Sequence, residues 1–382
     1  MRCLIVGNLV FQGGRRLFRF LHAATDTGRA SRSCGLATAL SRGGTLALLL
    51  WCFPAVAGNV APAGKTCAPR ISGVRPVPVA AADEITVATQ NLRRLFDDVD
   101  DGRGELATTA RYQQRLDRLS RHIVQVLHSP DVLAVQEVET IKVLQDLAAA
   151  IAAQGGKTYQ AILLEGHDWG GIDVGFLVRS DMRTVGQQQV LKMRRLDRAA
   201  LFDRPPLWLR LQMAEGRVLN IVNVHLKSLR GSDDPAVAKK IARKRQRQAE
   251  ALAEWVGLYL ARPAAEPLLV LGDFNASFTV LSDAASDVDA EALGAVDVMG
   301  IIQAEGLSNQ WPRLPAGERY SYVHACRPEA LDHVLVSTAL LPAVRALAVS
   351  RGNAGARRRA DDADNSALRS SDHDALVLYL KP

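Results

Sequence analysis

The sequence predicts one α/β domain, and three observations carry that expectation. Apolar strands and amphipathic helices alternate from Ile85 to the C-terminus, about 300 residues, with no internal linker. Leu268–Leu271 is a run of four apolar residues, the pattern of a strand buried on both faces, and it leads into Gly272-Asp273-Phe274-Asn275. The same layout, an apolar strand ending in polar residues, recurs at Asn91, Glu137, His225 and Asp332, and Asp372-His373 opens a last strand. Side chains two apart at a strand end point the same way. Asp273 and Asn275 therefore put a carboxylate that can take a proton beside an amide that donates and accepts. Taken alone, that stretch reads equally as an Asx turn closing a strand; the recurrence makes it a candidate site.

Composition sets bounds. A hydrophobic share of 48% and a charged share of 23% are those of a globular protein. The net charge of +7 says little about partners, because seven arginines and a single acid, Asp26, fall within residues 1–57, leaving +1 for the rest. Those arginines precede the apolar run Leu46–Leu50 with Trp51, Cys52 and Phe53, and Ala55-Val56-Ala57 follows. This is the pattern of a secretory signal cleaved near Ala57. The run is short for a membrane span, so no stable anchor is expected. The basic region is long for a signal, and the true start codon could lie downstream. An exported protein keeps two cysteines, Cys67 and Cys326, which point to one disulfide; two unpaired thiols are the alternative. The expected organisation is a leader over 1–57, an extended Ala/Pro-rich arm over 58–82, and one domain over 83–382, taken as a monomer.

Within that domain, Ile85–Thr89 alternates as a strand and delivers Asn91. Asp97, Asp98, Asp100 and Asp101 beside Gly102 and Gly104 lack EF-hand spacing and read as a solvated turn. Residues 105–129 are helical, with Leu116, Leu119 and Ile123 on one stripe. Val132–Val135 is a strand ending in Gln136-Glu137, and a helix follows over 140–153. Strands are expected at 161–164 and 174–178, with a Gly166–Gly171 loop between them. Along 217–226 the odd-numbered residues run apolar and then turn polar at Asn223 and His225. The helix Pro235–Leu260 begins very basic; a solvated face is the default for those charges, and a phosphate contact the alternative. Further on, the sequence predicts a helix near 291–304, neighbouring strands at 320–323 and 332–336, and a final strand at 375–380.

Carboxylates and amides with few sulfurs suit a hard divalent ion, and two histidines with a carboxylate suit proton transfer near neutral pH. The chain has no G-x-S-x-G elbow, P-loop, H-E-x-x-H or G-x-G-x-x-G. Serine-nucleophile, Walker-type ATP and zinc-protease chemistry are therefore unsupported.

Six ordered segments carry a resemblance: Thr89–Leu92, Val135–Glu137, Asn223–Leu226, Gly272–Asn275, Leu331–Leu335 and Ser371–His373. Together they resemble the motifs of the endonuclease/exonuclease/phosphatase superfamily, the DNase I-like proteins, across about Ile85 to Lys381. The resemblance implies a four-layer α-β-β-α sandwich with two mixed sheets face to face. It implies Glu137 as principal metal ligand, with Asn91 and Asp372 nearby. Asp273 would orient or deprotonate the attacking water, and Asn275 would hold a phosphate oxygen. His373 would contact the scissile phosphate, oriented by Asp332, with His225 as the second histidine. The implied cofactor is Mg²⁺, with Mn²⁺ or Ca²⁺ as alternatives. His333 should face the opposite side of its strand, and Asp374 gets no role. Asp173 is either a supporting residue or a turn cap. Segments such as His225–Ser228, Arg204–Leu207 and Arg319–Tyr322 look like secreted bacterial nucleases. Arg319 and Tyr322 then become substrate-binding candidates, with cross-strand packing as their alternative use. The expectation is an exported, metal-dependent phosphodiesterase, a nuclease acting on DNA or RNA. A phospholipid or inositol phosphate hydrolase is the alternative, and a degenerate binding module is disfavoured by intact Glu137, Asp273 and His373.

Overall fold

The computed structural model describes residues 73–213, 216–277, 296–355 and 368–381. The chain divides into two units, Met1–Thr66 and Cys67–Pro382. The first, with the expected leader, lies outside the described residues.

The strands of the second unit are β1 (Ile85–Leu95), β2 (Val132–Val138), β3 (Tyr159–Leu163), β4 (Asp173–Arg179), β5 (Arg183–Gln189), β6 (Arg195–Leu196), β7 (Ala199–Ala200) and β8 (Leu207–Gln212). They continue with β9 (Val218–His225), β10 (Leu268–Asp273), β11 (Leu307–Asn309), β12 (Tyr322–His324), β13 (Arg327–Glu329), β14 (Asp332–Ser337), β15 (Val344–Val349) and β16 (Leu376–Leu380). The helices are α1 (Thr109–Gln125), α2 (Ile141–Ala153), α3 (Pro235–Leu260) and α4 (Val298–Gln303). Thr108, Thr140 and Asp234 cap the first three through side-chain oxygens on early amides.

Two six-stranded sheets run β15-β16-β1-β2-β4-β3 and β11-β14-β10-β9-β8-β5. Each has one central parallel pair, β1/β2 or β9/β10, and every other pairing is antiparallel. Strand alternation then divides the core into three. Val87, Val132, Phe176, Ile221, Leu269 and Leu271 meet between the sheets. Ala88, Leu133 and Val135 face Leu119, Ile123, Leu144 and Leu147 of α1 and α2. Val222, Leu268 and Val270 face Leu252 and Val256 of α3 and Ile302 of α4. This is the four-layer sandwich, and each side-chain period of two serves two cores at once.

Several expectations need correction. Tyr320–Val323 and Asp332–Val336 are not neighbouring strands: β12 pairs with β13, while β14 pairs with β10 and β11. Gly272 does not end the strand. It sits inside β10 at φ 134, where a Cβ would meet the Val224 carbonyl oxygen at 2.1 Å. Within the expected helix over 291–304, residues up to 295 lie outside the described residues and the helix is α4. The arm docks where it is described: Arg75 bridges to Arg351, and Val77 is buried and donates its amide to Val126. The acidic turn behaves as read, with Asp97, Asp100 and Asp101 each accepting an amide two residues on. Cys326 is disulfide-bonded; Cys67 lies outside the described residues. Among the described residues no helix is long and apolar enough to cross a membrane.

Candidate active site

The polar residues converge where the parallel pairs of the two sheets end. Asp273 closes β10 opposite His225, the last residue of β9. Its Oδ1 accepts the Asn275 amide at 2.8 Å, and its Oδ2 accepts Asn91 Nδ2 at 3.1 Å from the other sheet. The same Asn91 amide donates to Glu137 Oε1 at 3.2 Å. His225 Nε2 lies 3.7 Å from Asp273 Oδ2. His373 Nδ1 donates to Asp332 Oδ2 at 2.7 Å, and one ligand atom each from Asp273, Asp332 and His373 fall within 4.8 Å of one another.

Local backbone places these groups. The register of β1 against β2 shifts between Asn91 and Leu95, and that of β2 against β4 shifts between Gln136 and Val138. Such bulges re-aim side chains. Glu137 holds φ 60 and Asn275 φ 49, left-handed conformations that cost a non-glycine residue about 1–2 kcal/mol. Beneath them a buried polar belt crosses between the sheets. Gln136 Nε2 donates to Thr89 Oγ1 and Asn223 Oδ1, and Asn223 Nδ2 donates to the Val135 and Gly175 carbonyls. Gln90 Nε2 donates to the His373 carbonyl, and Ser371 Oγ donates to that of Asn91, tying the last motif to β1. Polar residues at buried strand positions were the available signal for Gln136 and Asn223. Gln90 carries the same signal on β1, and Ser371 lies in the last of the six segments but outside any strand.

Burial and neighbouring charge separate the protonation states. Burial drives Asp273 up to about 7; His373 opposes that rise, and Asp332 and Glu137 add to it. Burial disfavours the charged His373, but the Asp332 carboxylate outweighs it and raises His373 to about 10. His225 is held well below the ordinary range by burial, then by the Arg204, His373 and Lys227 charges. The site thus pairs a charged with a neutral histidine around one carboxylate.

The structure brings together Asn91, Glu137, His225, Asp273, Asp332 and His373. Asn275 gives an amide hydrogen to the Leu226 carbonyl at 3.1 Å. Neither Glu137 nor Asp372 belongs to the Asp273, Asp332 and His373 group of potential ligands found among the described residues, and Asp372 pairs with Arg93 at 3.4 Å. Tyr322 reaches the site, its ring 4.8 Å from that of His373 and tilted by 38°. Arg319 instead turns its guanidinium onto the Leu314 and Pro312 carbonyls. His333 lies on the opposite face, bonded to Ala276 and Asn309. Asp374 forms a buried ion pair with Arg351, and Asp173 caps the Gly166 amide.

The donor set fits a hard divalent ion. The second oxygen of half-buried Glu137 has no hydrogen bond, and the buried Oδ1 of Asp332 is also without a partner.

The Endonuclease/Exonuclease/phosphatase family profile matches residues 86–350. The chain belongs to that family. Comparison with curated proteins gives no match. Among solved structures, a mannosyl-6-phosphatase of Bacteroides thetaiotaomicron is 17% identical, with TM-score 0.52 over 78% of this chain and 99% of that one. Another family protein from that organism is 17% identical, with TM-score 0.51 over 78% and 97%. A humanized D. rerio TDP2 is 15% identical, with TM-score 0.50 over 78% and 99%. At these identities the likeness extends to the fold alone. Family membership makes the chain one of the metal-dependent phosphoric ester hydrolases.

Proposed function

We propose that the protein is an exported, Mg²⁺-dependent phosphodiesterase that hydrolyses nucleic acid. The observation that carries this reading is the placement of Asp273. It touches Asn91 from one sheet and faces His225 of its own, and His373 stands beside it in the Asp332 pair. Glu137, with Asn91 bonded to it, would hold the ion, while Asp372 is paired with Arg93. When bound, the ion neutralises phosphoryl and leaving-group oxygens as a Lewis acid.

The remaining chemistry belongs to side chains. Asp273, poised near neutrality, orients a water and takes its proton; a base so matched typically adds about 10²–10⁴-fold. The charged His373 is fixed at Nδ1 by Asp332, so its Nε2 is free to donate to a phosphoryl oxygen. His225, kept neutral, can donate a hydrogen bond without adding a second charge. Asn275 retains one amide hydrogen for a phosphate oxygen. Tyr322 covers the imidazole of His373 on one side and limits access of bulk water.

The test offers the mature protein plasmid DNA, RNA, sphingomyelin, a phosphoinositide and mannose 6-phosphate, each with Mg²⁺ and with EDTA. Cleavage of nucleic acid that EDTA abolishes is the expected result. Hydrolysis confined to the lipid, inositol or sugar substrates would replace the nuclease assignment.

A further inference from the structure

Four cations crowd the ground just beyond His225, and three of them are spoken for. Arg204, largely buried, lies 3.6 Å from Asp168 and donates to the His225 and Leu226 carbonyls. Lys244 Nζ donates to both oxygens of Asp203, at 2.7 and 2.8 Å. Arg245, also buried, donates to the Lys227 carbonyl. Lys227 is the exception: it is only partly exposed, and its ammonium has no carboxylate or hydrogen-bond partner among the described residues.

Lys227 stands two residues beyond His225, and the ladder continues through the Leu226 amide to the Asp273 carbonyl. Lys227 itself lies beyond the end of β9, its amide donated to Gln248 Oε1 at 2.9 Å, and its charge bears on His225. Two residues of chain reach at most about 7 Å, of the order of one sugar–phosphate unit from the imidazole. Burial first, then Arg204 and Lys244, press the ammonium toward losing its proton, and the Asp203 and Asp168 charges oppose them. An incoming anion would relieve that repulsion.

A second observation lies on the same ground. Trp169 is 91% exposed, the most exposed large apolar side chain among the described residues. It follows Asp168, which pairs with Arg204 and whose charge also bears on Lys227. The loop that carries it is anchored: His167 donates its amide to the Asp203 carbonyl at 2.6 Å, and Gly171 donates to that of Asp168 at 3.1 Å. An indole held in water, on a loop tied to Asp203 and Arg204, whose charges act on Lys227, matches a flanking nucleotide, whose phosphate meets a charge and whose base meets a π-face.

We propose that Lys227 and Trp169 form a subsite for the nucleotide next to the scissile linkage, the ammonium taking its phosphate and the indole its base. The inference rests on the nuclease reading and narrows it. Stacking on Trp169 requires a base out of its duplex, so the preferred substrate is a single-stranded segment or a frayed end.

The test follows a fluorescein-labelled decathymidylate by anisotropy in EDTA across a salt series, for wild type, Lys227→Gln and Trp169→Ala. Lys227→Gln is expected to weaken binding about tenfold and to reduce the slope of log Kd against log salt by about 0.7, one phosphate contact on a single strand. Trp169→Ala is expected to weaken binding about tenfold with the slope unchanged. With Mg²⁺, the ratio of kcat/KM for the oligonucleotide to that for bis(4-nitrophenyl) phosphate should fall about tenfold in each variant, because the small diester has neither a second phosphate nor a base. An unchanged slope in Lys227→Gln, or equal losses on both substrates, overturns the subsite. If wild type hydrolyses the small diester but leaves the bound oligonucleotide uncut, the nuclease reading fails while the salt slope still decides the subsite.

Discussion

Glu137 keeps a left-handed backbone that a glycine would hold without strain. Glu137→Gln keeps the shape and removes the charge. Activity titrated against Mg²⁺ should show weaker metal binding, with more Mg²⁺ needed for half-maximal rate, and a large loss of turnover. Melting in EDTA should be unchanged or slightly higher, since a carboxylate near Asp273 is gone. Glu137→Gly should be equally inactive, and relief of the backbone should leave its melting temperature no lower than that of the Gln variant. A Gln variant that matches wild type at low Mg²⁺ would remove Glu137 from the ligand set. At the other histidine, His373→Ala is expected to lower kcat by about 10²–10⁴-fold with the circular dichroism spectrum intact. A wild-type rate there would mean that Ser371–His373 is not the last motif.

At the scale of elements, two histidines outside the site couple α1 and β14 to pH. His122 on α1 is buried, with Nδ1 on the Leu368 carbonyl, and His333 on β14 is buried between Ala276 and Asn309. Burial pushes each down to about 4 from an ordinary value of 6.5. Between those values the unfolded chain binds protons that the folded one does not, so these groups withdraw stability as pH falls through that window. Asp273 and Glu139, raised to about 7 chiefly by burial, act in the opposite sense. The net profile therefore mixes signs, and a difference isolates one. The stability of wild type relative to His122→Gln should shrink by about 2–3 kcal/mol between pH 7 and pH 4, measured from urea midpoints. A constant difference would show that His122 is charged in the fold.

At the scale of the whole molecule, one buried side chain ties together segments far apart in sequence. Arg351 is buried and stacks 3.8 Å over Tyr320. It donates to Asp374, to Glu318 and to the Tyr320 and Glu318 carbonyls, while its backbone bridges to Arg75. Removing one partner of a buried pair typically costs about 3–5 kcal/mol. Arg351→Met should lower stability by about that much in urea unfolding, and the double change with Asp374→Leu should cost less than the single one. At the same scale the two sheets share one pattern of parallel and antiparallel pairing, though not the same chain order, and strands in matching positions meet at the site. Asn91 of β1 bonds Asp273 of β10, Gln136 of β2 bonds Asn223 of β9, and Asp332 at the start of β14 bonds His373 ahead of β16.

The α/β class, the helix Pro235–Leu260 and the polar strand ends at Asn91, Glu137, His225, Asp273, Asp332 and His373 were legible in the chain itself. Burial on two faces writes an apolar run, and the place where that run turns polar marks an open strand end. Among the strands of the two large sheets β5, β8, β11 and β15 passed unnoticed: β5 is mostly polar, β8 alternates Arg210 and Gln212 with its leucines, β11 spans three residues, and the apolar run of β15 is half alanine, a weak strand former. Which strand ends share a site is a matter of sheet order, and residues as far apart as Asn91 and Asp273 meet only once both sheets have packed. The tertiary structure alone turned Arg319 onto carbonyls, paired Asp372 with Arg93, and left the Lys227 ammonium with no hydrogen bond or ion pair among the described residues. A long side chain's partner is fixed by whatever the fold places within its reach, and sequence spacing carries no record of that.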